Sequence, residues 1–286
     1  MLVDTPGFDD PNKSDSEILK QISTVLAVQY KLGFNLKGVI YLYRISDIRH
    51  TGGASSALSL FNKICGDHAF KNVILTTTRW EQVTETVGAK REAELRQGFW
   101  KHMLTLGATM TRYRGDRASA LAIVSNVLKI AGKNAVVLDL QREMVEENKA
   151  LKDTSAGSFV NDDLRAVRMK HEEELAALEI VRNGLDNTDR RGMQSTMEGI
   201  ESEKQKVAFA KKEQDKLGWN IAEVQAEISK EATESKRNRS GVAAMISAAV
   251  DVLARFFHLG PAAKAEFTLW FSDFSLSDFV SNIFSS

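Results

Sequence analysis

The sequence has little of several features that define other classes of protein. A single cysteine, Cys65, occurs in 286 residues, which excludes an internal disulfide and is typical of a reducing compartment. The longest uncharged run, residues 50–62, is shorter than the roughly 18 residues that a membrane-spanning helix needs. Residues 1–11 lack the basic flank and apolar core of a secretory signal. We therefore expect a cytoplasmic protein.

Net charge and proline are also scarce. The 38 Lys and Arg residues cancel 38 Asp and Glu residues, so no overall field attracts the chain to a nucleic acid, and we expect no nucleic-acid partner. Only three prolines occur, Pro6, Pro11 and Pro261, so regular structure can run long between the last two. The 43% apolar and 27% charged residues are typical of a globular protein.

Short β-rich runs alternate with helical patterns over residues 1–133. The runs predict strands at 2–3, 39–43, 73–77 and 108–113. Apolar residues spaced i, i+3, i+4 predict helices at 14–32, 54–65, 83–106 and 116–130, and Ser14 with Glu17 predicts a helix cap. This alternation predicts an α/β fold with a mostly parallel sheet and flanking helices.

Residues 134–240 are rich in Glu, Lys, Gln and Ala, which predicts a helical extension. One heptad position is occupied by Met193, Ile200, Val207, Gln214, Ile221 and Ile228, and its apolar companions are Ala210, Leu217 and Val224. The spacing predicts a coiled coil and self-association, or binding of partner helices, through residues 193–228. A helix packed on its own domain is an equal alternative. Turn formers at 183–192 predict a helical hairpin.

Residues 241–286 form an apolar, aromatic-rich C-terminal segment. In residues 242–259 four polar side chains lie near one helical stripe, namely Ser247, Asp251, Arg255 and His258. The pattern favours packing against the rest of the protein or a second copy. Peripheral membrane contact through residues 241–284 is the alternative, although the three preceding cations are fewer than an anionic-lipid site needs.

The opening residues carry the first chemical signal. Asp4-Thr5-Pro6-Gly7 follows the short apolar run at 2–3. In phosphate-binding α/β proteins an Asp at the carboxyl end of a strand holds Mg²⁺, and a nearby Gly lets a backbone N–H approach the terminal phosphate. The second signal is Thr78-Arg79-Trp80-Glu81, which follows the predicted strand at 73–77.

The order of these elements resembles the later part of a P-loop GTPase domain of the septin and immune-associated nucleotide-binding type, including fungal GTPase-like proteins with a helical extension. The resemblance covers residues 1–129, and the segment 43–49 is also similar to a loop of that family. It implies binding of GTP or GDP with Mg²⁺. By the resemblance, Asp4 is the water-mediated Mg²⁺ partner, Gly7 contacts the terminal phosphate, and Thr5 opens the switch segment 5–10. Thr78 begins the guanine-reading loop, in which Glu81 reads the base and Arg79 lies beside it.

The sequence contains no phosphate-binding loop of the form G-x-x-x-x-G-K-[ST]. Its Gly132-Lys133 pair is followed by Asn134, and Val127 stands where the first Gly belongs. We expect a guanine-nucleotide-binding protein that does not hydrolyse GTP, with no catalytic residue assigned. The alternatives are a non-enzymatic interaction or oligomerisation protein built on a GTPase-domain remnant, and a fragment of a longer coding sequence. The missing opening strand also predicts an exposed edge beside the Asp4 strand.

The remaining candidate groups predict structural roles. The five histidines lack a ligand pattern with Cys or carboxylates, so we expect no metal site apart from Mg²⁺ at Asp4. Cys65 ends an apolar helical run and is interpreted as a buried structural thiol. Arg112, Arg114 and Arg117 are interpreted as a charge-balanced, solvated face, with anion binding as the alternative.

Overall fold

The computed structural model describes residues 2–8, 12–31, 33–47, 52–132, 135–186 and 189–223, together with isolated positions between 226 and 254. Contacts divide the chain into two compact units, Met1–Val25 with Asn148–Asp273 and Leu26–Glu147 with Phe274–Ser286. We call the first the helical unit and the second the sheet unit. The predicted domains 1–133, 134–240 and 241–286 stay predictions.

The sheet unit contains three parallel strands in the order β1-β2-β3. They are β1 (Val39–Arg44), β2 (Val73–Thr78) and β3 (Thr109–Arg112). The central strand β2 is buried at every position before Thr78, as expected for an apolar strand paired on both sides. The strands predicted at 39–43, 73–77 and 108–113 are therefore confirmed, and the described protein is an α/β fold.

Helices precede, connect and follow the strands. They are α1 (Asp15–Lys31), α2 (Gly52–Cys65), α3 (Glu85–Glu94), α4 (Lys101–Thr105), α5 (Arg117–Ala131) and α6 (Asp139–Gln141). A π-helical turn, Leu95–Phe99, separates α3 from α4, so the predicted helix at 83–106 is interrupted. The Ser14 side chain accepts a hydrogen bond from the Glu17 backbone N–H at 3.3 Å, which confirms the predicted cap of α1.

One face of the sheet carries both crossover segments. Tyr41 packs on Phe61 of α2, with ring centroids 4.7 Å apart. Tyr41 and Tyr43, on the same face of β1, also meet the fully buried Trp100 edge-on at 6.4 and 5.9 Å. Two crossovers on one face are what strand order β1-β2-β3 requires when both have the same hand. Leu42 points to the opposite face and is 63% exposed.

The strand predicted at residues 2–3 is wrong. The described residues 2–8 belong to no strand, and Leu2 is 75% exposed. Two apolar residues are too few to compete for a ladder partner, so the segment forms no strand and its residues 2–5 are exposed. Asp4 therefore does not end a strand, and the predicted exposed edge beside an Asp4 strand is wrong with it. In the described sheet, β1 and β3 occupy the two edges.

The helical unit is built on a hairpin of α7 (Ser155–Gly184) and α8 (Arg190–Lys216). The predicted break near residues 183–192 is confirmed. Ile200, Val207 and Ala210, three members of the predicted coiled-coil seam, are buried on α8, which packs along α7. Because an antiparallel hairpin produces the same spacing as a coiled coil, the pattern is explained within one chain, and an intermolecular coiled coil stays a prediction.

A buried carboxylate connects α8 to the start of α1 within the helical unit. Glu213 is 2% exposed and accepts hydrogen bonds from the Ser14 and Ser16 hydroxyls. Lys216 pairs with the same carboxylate at 2.8 Å. Burial alone would raise the pKa of Glu213, but the hydrogen bonds from Lys216 and the two serines outweigh it, and the pKa lies below its usual value.

Most of the aromatic C-terminal segment, including Arg255 and His258, lies outside the described residues. At its described positions the segment is helical, and Ala248, Val250 and Ala254 are buried. Over the part of the chain that the structure describes, no helix is both long enough and apolar enough to cross a membrane.

Candidate functional site at the carboxyl edge of the sheet

The three parallel strands bring their following loops to one edge of the sheet. Arg44 is in register with Thr78, and Thr77 is in register with Arg112. Hydrogen bonds continue past the strand ends, because the Ile45 N–H donates to the Thr78 carbonyl at 2.9 Å. Open parallel sheets bind ligands at this carboxyl edge. The three loops therefore define the candidate site.

Thr78 has a structural role in this site. Its hydroxyl donates to the Tyr43 carbonyl at 3.3 Å, and its own carbonyl accepts from Ile45. These bonds fix the end of β2 against the end of β1. The residue predicted to begin the guanine-reading loop thus anchors that loop.

Arg79 and Glu81 are the accessible residues of the loop. Arg79 has φ 61°, a left-handed conformation that is uncommon for a residue other than glycine, and it starts the short 3-10 turn Trp80–Gln82. The Arg79 Nη1 and Glu81 Oε1 atoms are 3.8 Å apart, and the two side chains are 59% and 60% exposed. An exposed pair of this kind contributes about 0–1 kcal/mol, so a ligand can separate it at low cost.

Trp80, between these two residues, is held by the protein. The Arg112 guanidinium lies over its ring at 4.0 Å from the centroid. The Trp80 Nε1–H donates to Thr77 Oγ1 at 3.0 Å. Gly88 of α3 lies so close that a Cβ there would stand 2.5 Å from Trp80 Cζ3. We call Trp80, Arg112 and Gly88 the Trp80 clamp, and it fixes the position of the loop that carries Arg79 and Glu81.

Arg112 is neutralised by two carboxylates of α3. Its Nε donates to both oxygens of Glu92 at 3.1 Å, and its Nη1 donates to Glu85 Oε1 at 2.7 Å. Hydrogen bonds to Glu92 and then to Glu85 raise the pKa of Arg112 above its usual value. The predicted charge balance is confirmed for Arg112, but the predicted solvated position is wrong for it, because its side chain is only 28% exposed and lies over Trp80.

The loop after β1 is held by a second arginine, Arg91 of α3. Arg91 Nη1 donates to the Ile45 carbonyl at 2.8 Å and to the Ser46 carbonyl at 2.9 Å. Arg44 pairs with Asp47 at 3.3 Å in the same loop. Sequence reasoning missed Arg91 and the Trp80 clamp, because their roles depend on how α3 packs on the strand ends, and no sequence signal marks that packing.

The residues predicted to contact phosphate and Mg²⁺ lie in the helical unit. Asp4, Thr5 and Gly7 are exposed, and no atom of the described residues lies within 4 Å of the position that a Cβ on Gly7 would take. The described protein therefore places no steric demand for glycine at position 7. The structure brings together Thr78, Arg79 and Glu81 in the sheet unit, and the ligand roles of Asp4, Thr5 and Gly7 stay predictions.

Two other sequence interpretations can be compared with the structure. Cys65 is fully buried, and burial, followed by the nearby Asp139 charge, raises the pKa of its thiol, as expected for a structural cysteine. The interpretation that no histidine lies at ligand spacing from a carboxylate is wrong. His171, Glu174 and Glu203 place one ligand atom each within 4.8 Å of one another in the helical unit. The signal was present as H-x-x-E spacing at His171 and Glu174.

Comparison with known proteins identifies no relative. A scan against protein-family models finds no match, and neither a search of curated proteins nor a search of solved structures finds one. The site must therefore be interpreted from its own geometry and chemistry.

Proposed function

We propose that the carboxyl edge of the sheet unit binds the base of a guanine nucleotide, and that the chain is a GTPase-like nucleotide-binding protein. The observation that supports the proposal most is the position of Arg79 and Glu81. Both side chains are exposed at the end of β2, the central strand of a parallel sheet, where such sheets bind ligands.

The chemistry of the pair suits guanine. An ionised Glu81 carboxylate only accepts hydrogen bonds, and guanine presents adjacent N–H donors on its ring and its exocyclic amine. Adenine presents an acceptor at the corresponding ring position, so it would leave the carboxylate poorly paired. When the base binds the Glu81 carboxylate in place of Arg79, the Arg79 guanidinium is free to lie along the plane of the base.

Phosphate binding by this chain is proposed to be weak. Phosphoryl transfer depends almost wholly on positioned donors and cations around the phosphates, and the sequence contains no P-loop to supply them. We therefore assign no catalytic residue. GTP or GDP with Mg²⁺ remains the proposed ligand of the sheet unit.

The proposal is tested by titrating the purified chain with fluorescent GDP in the presence of Mg²⁺. We expect saturable binding that unlabelled GTP or GDP displaces and ATP does not. Glu81→Ala should weaken binding at least about tenfold, since a hydrogen bond to a charged group contributes about 1.5–3 kcal/mol. Glu94→Ala is the matched control, because Glu94 is an exposed carboxylate at the end of α3. Absence of saturation, equal competition by ATP, or equal affinity of Glu81→Ala would contradict the proposal.

A second candidate is a non-enzymatic interaction protein that associates through its apolar surface. The supporting observation is a stripe on α5 at i, i+3 and i+7, where Leu121, Val124 and Leu128 are 54%, 37% and 58% exposed. A second copy could cover this stripe with its own. Sedimentation at micromolar concentration tests this candidate, since it predicts a dimer that Leu128→Glu dissociates. A monomer of the unmodified chain would exclude it.

A further inference from the structure

We propose that His171, Glu174 and Glu203 form a zinc-binding site between the two helices of the hairpin. His171 and Glu174 are three residues apart on α7, so they lie on one face of that helix. Glu203 comes from the facing helix α8. The proposal is independent of nucleotide binding, because all three residues belong to the helical unit.

The distances suit a single small cation. His171 Nδ1 is 2.6 Å from Glu203 Oε2 and 3.6 Å from Glu174 Oε2. Tetrahedral zinc with Zn–N and Zn–O bonds of about 2.0–2.2 Å places its ligand atoms about 3.4 Å apart. The two measured separations lie on either side of that value. Side-chain rotations that move each ligand atom by less than about 1 Å would therefore let all three atoms bind one ion.

The exposed fraction increases from Glu203 through His171 to Glu174, as expected for a metal site with one position open to solvent. The Glu203 side chain is 9% exposed and that of His171 is 19% exposed, whereas that of Glu174 is 45% exposed. The ion would thus rest on a buried carboxylate and be reached from the solvent side of Glu174. Three protein ligands with a fourth, open position are the arrangement of an exchangeable zinc site rather than a closed structural one.

Lysine side chains already neutralise part of the negative charge. Lys206 Nζ is 2.6 Å from Glu203 Oε1, and Lys170 Nζ is 3.9 Å from Glu174 Oε1. Each lysine contacts the Oε1 atom of its carboxylate, while the Oε2 atom is the one near His171. A cation can therefore replace the proton shared by His171 and Glu203 without displacing either lysine. Lys206 lowers the affinity by repulsion, so we expect micromolar rather than nanomolar binding.

The donor set favours Zn²⁺ over Mg²⁺ and Ca²⁺. A neutral imidazole nitrogen with two carboxylate oxygens suits Zn²⁺, whereas Mg²⁺ and Ca²⁺ prefer oxygen ligands throughout. Because the ligands come from two helices, a bound ion would link the middle of α7 to α8 and stabilise the hairpin by mass action.

The test is a calorimetric titration of the full chain, previously treated with a chelator, with ZnCl₂. We expect one zinc per chain, no comparable binding of Mg²⁺, and a rise in Tm of about 5 °C at a zinc concentration near 100 times Kd. Glu174→Ala changes the most exposed of the three ligands and should keep the fold, yet weaken zinc binding at least about tenfold. Lys206→Met should strengthen it.

The matched control is His102→Ala. His102 also meets a carboxylate, Asp67 at 3.1 Å, but the described residues offer no third ligand beside this pair, so its loss should leave zinc binding unchanged. Circular dichroism of each variant verifies that the fold is retained. Zinc binding weaker than millimolar, or binding that His171→Ala and Glu174→Ala leave intact, would overturn the proposal.

Discussion

Replacing Arg112 by alanine tests whether the Trp80 clamp holds the loop at the carboxyl edge. Glu92, whose side chain is 17% exposed, would lose its cation, and the Trp80 ring would lose the guanidinium above it. Removing one partner of a fully buried ion pair costs about 3–5 kcal/mol. The Arg112 side chain is 28% exposed, so the loss of this pair should cost less than that. Together with a cation–π loss of about 0.5–1 kcal/mol, we expect the free energy of unfolding to fall by about 2–3 kcal/mol.

Urea denaturation monitored by circular dichroism measures this change. Arg112→Met combined with Glu92→Leu removes both charges, so the double variant should recover much of the lost stability, with a coupling energy of about 1–3 kcal/mol. Glu85→Ala is the control, because the Glu85 side chain is 74% exposed and its pair should contribute less than about 1 kcal/mol. A loss below about 0.5 kcal/mol for Arg112→Ala, or no recovery in the double variant, would refute the reasoning.

Three further perturbations follow from buried groups. Gly157→Ala should destabilise the protein by about 1–3 kcal/mol, because its Cβ would lie 1.7 Å from the Leu151 carbonyl oxygen. Gly184→Ala in the same helix meets no atom of the described residues within 4 Å, so thermal melts should show a smaller effect for it. Because the folded-state pKa of Glu213 is lowered, the stabilisation by its carboxylate is complete above the usual pKa of 4.5 and is lost as the pH falls through the lowered pKa. Glu213→Gln should therefore be less stable at pH 7, and its free energy of unfolding should depend less on pH in the acid range. Cys65 should react with a thiol reagent only at the rate of unfolding, and rapid labelling of the native protein would contradict its burial.

The sheet was predictable where the sequence pattern was long enough to specify it. The β-rich run at 73–77 is long enough to specify a strand, and the structure adds that this strand is central and buried on both faces. Leu2 and Val3 are also β-forming apolar residues, but the run is only two residues long, and no strand forms there. Strand formation needs a partner, and two residues carry no information about one.

The helical spacing on α8 was predictable, but its partner was not. Ile200 and Val207 are buried, as a seam requires, yet the surface that α8 packs along is α7 of the same chain. A heptad pattern specifies that a helix has an apolar stripe and leaves the identity of the covering helix open.

The candidate site was predictable only in part for the same reason. The loop at Arg79 and Glu81 could be placed because the carboxyl ends of parallel strands share an edge. The contribution of Arg112 to that loop arises from the pairing of β2 with β3, and that of Gly88 arises from the packing of α3. Likewise, Glu203 meets His171 across 32 residues of chain through the register of the hairpin, which spacing along one helix cannot reveal.

Nucleotide binding at the carboxyl edge is tested most directly by recording backbone amide NMR spectra of the isotope-labelled chain with and without GDP and Mg²⁺. We predict that the largest chemical-shift changes fall at residues 79–82 and at the neighbouring residues 45–47, and that Glu81→Ala removes them. Unchanged amides along the carboxyl edge of the sheet at saturating GDP would contradict nucleotide binding at this site.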